Sequence, residues 1–342
     1  MTNSPAPGRY LKALAFLLLG VPLTAATGNV RIIQTNSAGD NVHIIDPVTN
    51  KVVGEISGIE VSHGATAAPD GSRIFVSDEA EHTLDVADGK TFKLIKRITL
   101  SGRPNNIAIS KDGRRVYVSI AAAPGGVDVI DTGTLERAKT IPTKGTLHNT
   151  YVTPDGKYVV TGSVGGKFLT VIDQKTEEPV WTHDFDLGVR PMTFSTNPDG
   201  STKWIFVQLS DFNGFAVVDF NTRKEVTRIK NPDLPPGKAV VTVGGNASHG
   251  MAVTPDSKTL VVNSRLNSAV YSYSLPDLKL IGTTEIAGID PNWVTLTPDG
   301  KTAYVAMAGS NFVAAIDVKS MKQVARIPVG YVPKRNATAI LP

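Results

Sequence analysis

Cysteine is absent from the 342 residues. That excludes disulfides, thiolate metal sites, a lipid-modified cysteine, a thiol nucleophile and the C-x-x-C-H attachment of a covalent haem. Charge is sparse as well. Asp, Glu, Lys and Arg make up 19% of the chain, the formal net charge is +4, and no block of basic residues occurs. A nucleic-acid or membrane-surface role lacks its electrostatic footprint. Histidine is scarce, with six in all. The longest apolar run at the start, Ala13 to Val21, is too short to span a bilayer. Common catalytic signatures are missing: there is no G-x-S-x-G, no H-E-x-x-H, no EF-hand loop and no G-x-G-x-x-G. Gly162 to Lys167 imitates a phosphate loop, but it is one residue short and Phe168 follows where Ser or Thr is needed.

Arg9 and Lys12 precede the early apolar run, and the small residues Thr24, Ala25 and Ala26 follow it. A basic start, a short apolar middle and a small-residue end predict a secretory signal peptide over residues 1–26. Its removal takes two positive charges and leaves +2 on residues 27–342. The expected product is periplasmic or secreted, monomeric, and without a membrane span.

Glycine (31) and proline (22) are plentiful and predict many turns. The turns recur. Asp70, Asp112, Asp155, Asp199, Asp256 and Asp299 each sit in a Pro-Asp-Gly-like corner, at successive intervals of 42, 43, 44, 57 and 43. A β-branched or aromatic run follows each corner, such as Arg115-Val116-Tyr117-Val118. A second run then ends in an Asp-x-x-Thr turn, as in Val129-Ile130-Asp131 with Thr134. Each unit therefore reads as four short strands, A to D, and such units of 40 to 45 residues are propeller blades. Six corners give six blades. Val30 to Ile56 reads as strands B, C and D of another, and Lys334 to Leu341 supplies its strand A. The prediction is an all-β, seven-bladed propeller whose C-terminal strand pairs with the N-terminal blade, which removes exposed sheet edges.

The pattern Val152-Thr153-Pro154-Asp155-Gly156-Lys157-Tyr158-Val159, followed by Val171-Ile172-Asp173 and Thr176, resembles the YVTN family of β-propeller repeats. The resemblance implies kinship with surface-layer proteins, with lactonase-type propellers and with the haem-carrying propeller of dissimilatory nitrite reductase. It implies little about activity, because propellers of one fold carry many functions.

Differences between repeats are more informative than the repeat. The Asp corners are structural: Pro sets the first turn angle, Asp binds its own backbone and Gly takes the left-handed position. Seven residues before each corner Asp, at the predicted channel mouth, stand His63, Asn105, His148, Met192, His249 and Asn292. Histidine thus falls on alternate blades. Arg103-Pro104 and Arg190-Pro191 lie beside the intervening positions, and Lys334 and Arg335 arrive with the closing strand. Three imidazoles around one axis can ligate a divalent metal or share a haem, and one can act as a general base. Guanidinium groups suit a carboxylate or phosphate. The candidate ligand-binding set is therefore His63, His148, His249, Arg103, Arg190, Asn105, Asn292, Arg265 and Lys334, with the three histidines as candidate metal ligands. Shared contact with a larger ligand is expected over a direct three-histidine metal site, because alternate blades of a seven-membered ring stand far apart. His43 and His183 read as packing or surface residues; His82 ends a B-to-C loop on the favoured face, where it reads as a solvated loop residue or, alternatively, a contributor to the site. The one long interval places an insertion at 231–248 on the same face, as a lid or rim. The expected function is binding of a small anionic ligand, a cofactor or a protein partner at this mouth. A haem- or metal-bearing redox propeller and a lactonase-like hydrolase are the alternatives.

Overall fold

The structure, a computed structural model, describes residues 1–2, 28–233 and 246–342. From residue 3 onward the predicted leader lies outside the described residues, as does the middle of the predicted insertion.

Twenty-eight strands form seven four-stranded antiparallel sheets, and no helix occurs among the described residues. Six sheets are consecutive in sequence. They span Ser62–Thr99 (blade 2), Pro104–Ile141 (blade 3), Asn149–Asp184 (blade 4), Val189–Lys230 (blade 5), Ser248–Glu285 (blade 6) and Pro291–Pro328 (blade 7). Blade 1 combines the two ends of the described chain. Strand A, Pro333–Leu341, pairs antiparallel with strand B, Asn29–Asn36, placing Ile32 opposite Thr338 and Gln34 opposite Asn336. The predicted ring is closed as expected.

Residue type explains each strand's layer. Strands B and C are apolar on both sides, and from the second residue of Arg73–Asp78 to its end every position is buried. Such strands must be covered on both faces, here by neighbouring blades. Strand D carries charge, as in Glu136–Ile141, and lies exposed at the rim. Seven buried hydrophobic clusters result, one between each pair of neighbouring blades. Ile32, Ile45, Tyr304 and Val313 join blades 7 and 1, while Val42, Ile44, Ile74 and Val76 join blades 1 and 2.

The corners are built as their sequence predicts. The Asp155 carboxylate accepts hydrogen bonds from the Lys157 amide at 3.2 Å and the Thr153 hydroxyl at 2.6 Å, and Gly156 takes φ = +70°. In the Asp-x-x-Thr turns, the Asp131 carboxylate accepts from the amides of Gly133 and Thr134 at 2.9 and 3.0 Å. Both turn types lie on one side of the disc. The D-to-A and B-to-C loops lie on the other, tied by bonds such as Glu79 N–H to Val61 C=O at 3.0 Å.

Strand pairing corrects one repeat assignment. In blade 3, Ile107 pairs with Val118 and Tyr117 with Ala108; in blade 5, Met192 pairs with Val207 and Thr193 with Phe206. Met192 is therefore equivalent to Ile107, two residues below the mouth, and Arg190 occupies the mouth position. The hairpin of blade 5 is longer on both arms. In sequence the apolar strand begins at Ile205, six residues after Asp199, whereas Val116 and Val159 stand four residues after their Asp.

Candidate functional site

The corrected register makes the mouth a ring of His63, Asn105, His148, Arg190, His249, Asn292 and Lys334, one residue from each blade. The next position of the closing strand is Arg335. Sequence reasoning placed it nearby without a role, but it is the centre of the arrangement.

Arg335 is 1% exposed. Its two terminal nitrogens donate to Asn149 Oδ1 and Asn105 Oδ1, each at 2.7 Å. Its guanidinium carbon lies 4.2 Å from the centroid of the Trp293 ring. Nε has no partner. Burial brings its pKa down to about 10, which leaves it charged at neutral pH. Two neutral amides, the Tyr151 hydroxyl and an aromatic face thus surround a buried cation, and among the described residues no carboxylate bonds to it. Buried charges are normally paired, because removing an ion from water is very unfavourable.

The nearest acid is committed elsewhere. Glu79, from the B-to-C loop of blade 2, bonds His63 Nδ1 at 2.5 Å and accepts from Asn105 Nδ2 at 3.1 Å. Burial pushes Glu79 upward, but the hydrogen bond from His63, with the charges of Arg103 and Arg335, outweighs it and holds the carboxyl below its ordinary range. With Nδ1–H donated to the carboxylate, His63 Nε2 is a bare lone pair, buried and unpartnered. Carboxylate support of this kind orients a histidine that offers its other nitrogen to a ligand.

His249 Nδ1 lies 2.8 Å from the Asn292 carbonyl oxygen, which fixes Nδ1–H as the donor and leaves Nε2 bare. Gly250 permits this approach: a Cβ there would lie 2.7 Å from Trp293 Cα. His148 is half-buried. Its Nδ1 lies 2.5 Å from Asn149 Nδ2, an amide donor, and its ring meets that of His249 edge-on at 6.0 Å between centroids. Burial, then the charge of Arg335, lowers all three imidazoles, His63 to about 4. They are neutral at pH 7. His63 turns toward Glu79 while the other two face each other. Among the described residues no group of three His, Cys, Asp or Glu side chains is arranged to hold a metal ion, so the three candidate metal ligands do not form a direct metal centre.

More cations surround this floor. Lys334 forms no ion pair among the described residues, and burial followed by repulsion from Arg335 and Arg265 lowers its pKa. Arg190 donates from Nε to the Ser210 hydroxyl at 2.8 Å, and burial followed by repulsion from Arg265 lowers its pKa. Arg265, buried, is held by both carboxylate oxygens of Asp290. Arg103 is set apart: its side chain is half exposed and stands 3.8 Å from Glu79 at the rim.

Of the sequence candidates, the structure thus brings together His63, His148, His249, Asn105, Asn292, Arg190, Arg265 and Lys334, and leaves Arg103 at the edge. Sequence reasoning missed Glu79, Asn149 and Trp293 and undervalued Arg335. One signal was available: Pro333 matches Pro104 and Pro291, which sets the register of the closing strand. His43, near Glu55, lies in strand C of blade 1, and His183, against Phe185, in the outer strand of blade 4, as expected. The described ends of the insertion are anchored: the Pro232 carbonyl accepts from Asn267 Nδ2 at 2.8 Å, and Ala247 from the Leu266 amide at 3.1 Å.

Comparison with known proteins adds two family matches. Residues 25–161 match the cytochrome D1 heme domain, and residues 127–325, more than half of the chain, match the seven-bladed lactonase β-propeller. No curated protein matches. Similar solved structures include a chain of Kuenenia stuttgartiensis hydrazine synthase (TM-score 0.72, 22% identity, 89% of this chain and 99% of that one). A Bacteroides fragilis protein with a provisional 6-phosphogluconolactonase designation gives a TM-score of 0.73 at 17% identity, covering 93% and 99%. The dihydro-heme d1 dehydrogenase NirN, in complex with DHE, gives 0.65 at 16% identity, covering 90% and 74%. At these identities the likeness shows the fold alone.

Proposed function

Because the chain belongs to the lactonase family of seven-bladed β-propellers, we propose that it is a binding propeller whose histidine-bearing face takes a small anionic molecule. One observation carries the reading: Arg335 is a buried guanidinium that has, among the described residues, an unpartnered Nε and no carboxylate. Lys334, also without an ion pair among the described residues, and Arg190 add charge of the same sign beside it. An anion seated among them supplies the missing counter-charge, and the planar guanidinium suits a carboxylate or phosphate. Binding is favoured over hydrolysis because a base held near 4, as His63 is, lies far below the pH at which general-base catalysis is efficient. The leader-like start supports placing this activity in the periplasm or outside the cell.

The test is calorimetry and thermal denaturation with citrate and inorganic phosphate as probes. At least one is expected to bind and to raise the midpoint with concentration, as a native-state ligand must, and Lys334→Gln is expected to weaken it. No binding by either anion removes the reading, and lactone hydrolysis that His63→Gln abolishes replaces it with the hydrolase.

A second reading has its own observation. His63 offers a bare, buried Nε2 braced by Glu79, beside cations able to receive carboxylates, and the first blades match the heme-domain model. This donor set fits a haem: His63 or His249 would supply the imidazole, and Arg190 and Lys334 would hold the propionates. A bound haem would bring redox chemistry. Haemin titration is expected to give a Soret shift that His63→Gln or His249→Gln removes; an unchanged haemin spectrum at equimolar protein rejects it.

A further inference from the structure

The other end of the central channel holds a cavity of about 690 Å³ that the histidine-bearing face does not share. It opens between the Pro-Asp-Gly corners, with Pro69, Pro255 and Pro298 at its rim. Its floor is Tyr151, Met192, Met251 and Trp293, and its walls include Ile109, Phe194, Val253 and Leu296. Trp293 is also the ring against which Arg335 packs, so the same side chain floors this cavity and backs the cationic mouth. Among the described residues no acidic side chain lines the cavity, and its one charged lining residue is Lys111.

Lys111 departs from the repeat. At its place in the corner the other blades carry Pro69, Pro154, Pro198, Pro255 and Pro298. Its stem lies against the corner of blade 4, 2.8 Å from where a Cβ on Gly156 would stand. It forms no ion pair among the described residues. Hydroxyls of Thr66, Ser110, Thr193 and Thr297 interrupt the lining, but apolar side chains make up most of it, and a concave, mostly apolar space of this size is the usual form of a small-molecule site. A single cation at the rim selects for one negative charge, held outside the apolar body.

We propose that this cavity is a second binding site, for an amphiphilic monocarboxylate whose hydrocarbon lies between Phe194 and Leu296 and whose carboxylate reaches Lys111. The full chain is titrated with decanoate and, separately, with 1-decanol. Decanoate is expected to bind with one-to-one stoichiometry and to protect Lys111 from acetylation, read by mass spectrometry on the unmodified sequence. Lys111→Gln is expected to weaken decanoate about five-fold while leaving decanol unchanged, as loss of one exposed charge contact should. Thr338→Phe, which fills the cavity, is expected to weaken both. The proposal is overturned by absence of decanoate binding, by an unprotected Lys111, or by decanoate binding that Lys334→Gln abolishes, which would move the ligand to the opposite face.

Discussion

Arg335 has an unusual thermodynamic position. Removing one partner of a buried ion pair strands the other, but Arg335 has no ionic partner to strand. Arg335→Met strands the amide oxygens of Asn105 and Asn149, at about 1–3 kcal/mol each, but also removes a desolvated charge, so the thermal midpoint of the ligand-free protein should change little. The same variant should lose all stabilisation by citrate. A fall in midpoint resembling a core truncation would show that the guanidinium is structural. His63 gives the pH counterpart. Its folded pKa, about 4, lies below the ordinary 6.5, so the unfolded chain takes up a proton that the folded chain refuses. Stability is intact above pH 6.5 and falls as pH drops toward 4, by as much as about 3 kcal/mol for this residue. Thermal melts across that range should flatten in His63→Gln. Because a bound anion favours imidazolium, anion affinity should rise as pH falls over the same interval.

Among the elements, the hairpin corners carry the fold and the hairpin lengths carry the differences. Gly156→Ala forces a side chain into φ = +70° against Lys111. About 1–2 kcal/mol of stability should be lost, read as a lower urea midpoint with an unchanged slope. The corners and strand patterns were legible in the sequence because turn chemistry and apolar alternation are local. Blade 5 was misread because its hairpin is extended on both arms, so counting back from Asp199 reached Met192 and passed over Arg190. Glu79 escaped for another reason. It sits in a loop whose composition looks solvated, and only the packing of blade 3 against blade 2 brings Asn105 to it and buries it beside His63.

For the molecule as a whole, stability resides between blades. Each sheet is covered only by its neighbours, so the ring is as strong as its last joint. Removing residues 333–342 takes Ala339 and Leu341 from the cluster between blades 1 and 2 and bares the edge of Asn29–Asn36. Near-UV circular dichroism of that truncation should show no cooperative melt. The sequence revealed the ring and its closure, since repeats count themselves. It did not reveal the site's centre, because Arg335 gains its meaning from Asn105, Asn149 and Trp293, which lie on three other blades.

That closing strand has a consequence for biosynthesis. Arg335 and Lys334 leave the ribosome after every other blade is complete. A chain made only as far as the end of blade 7 can therefore stack its blades but lacks both cations of the closing strand. On the proposed function, anion capture would then report completed assembly, and an immature copy would not withdraw ligand from finished ones.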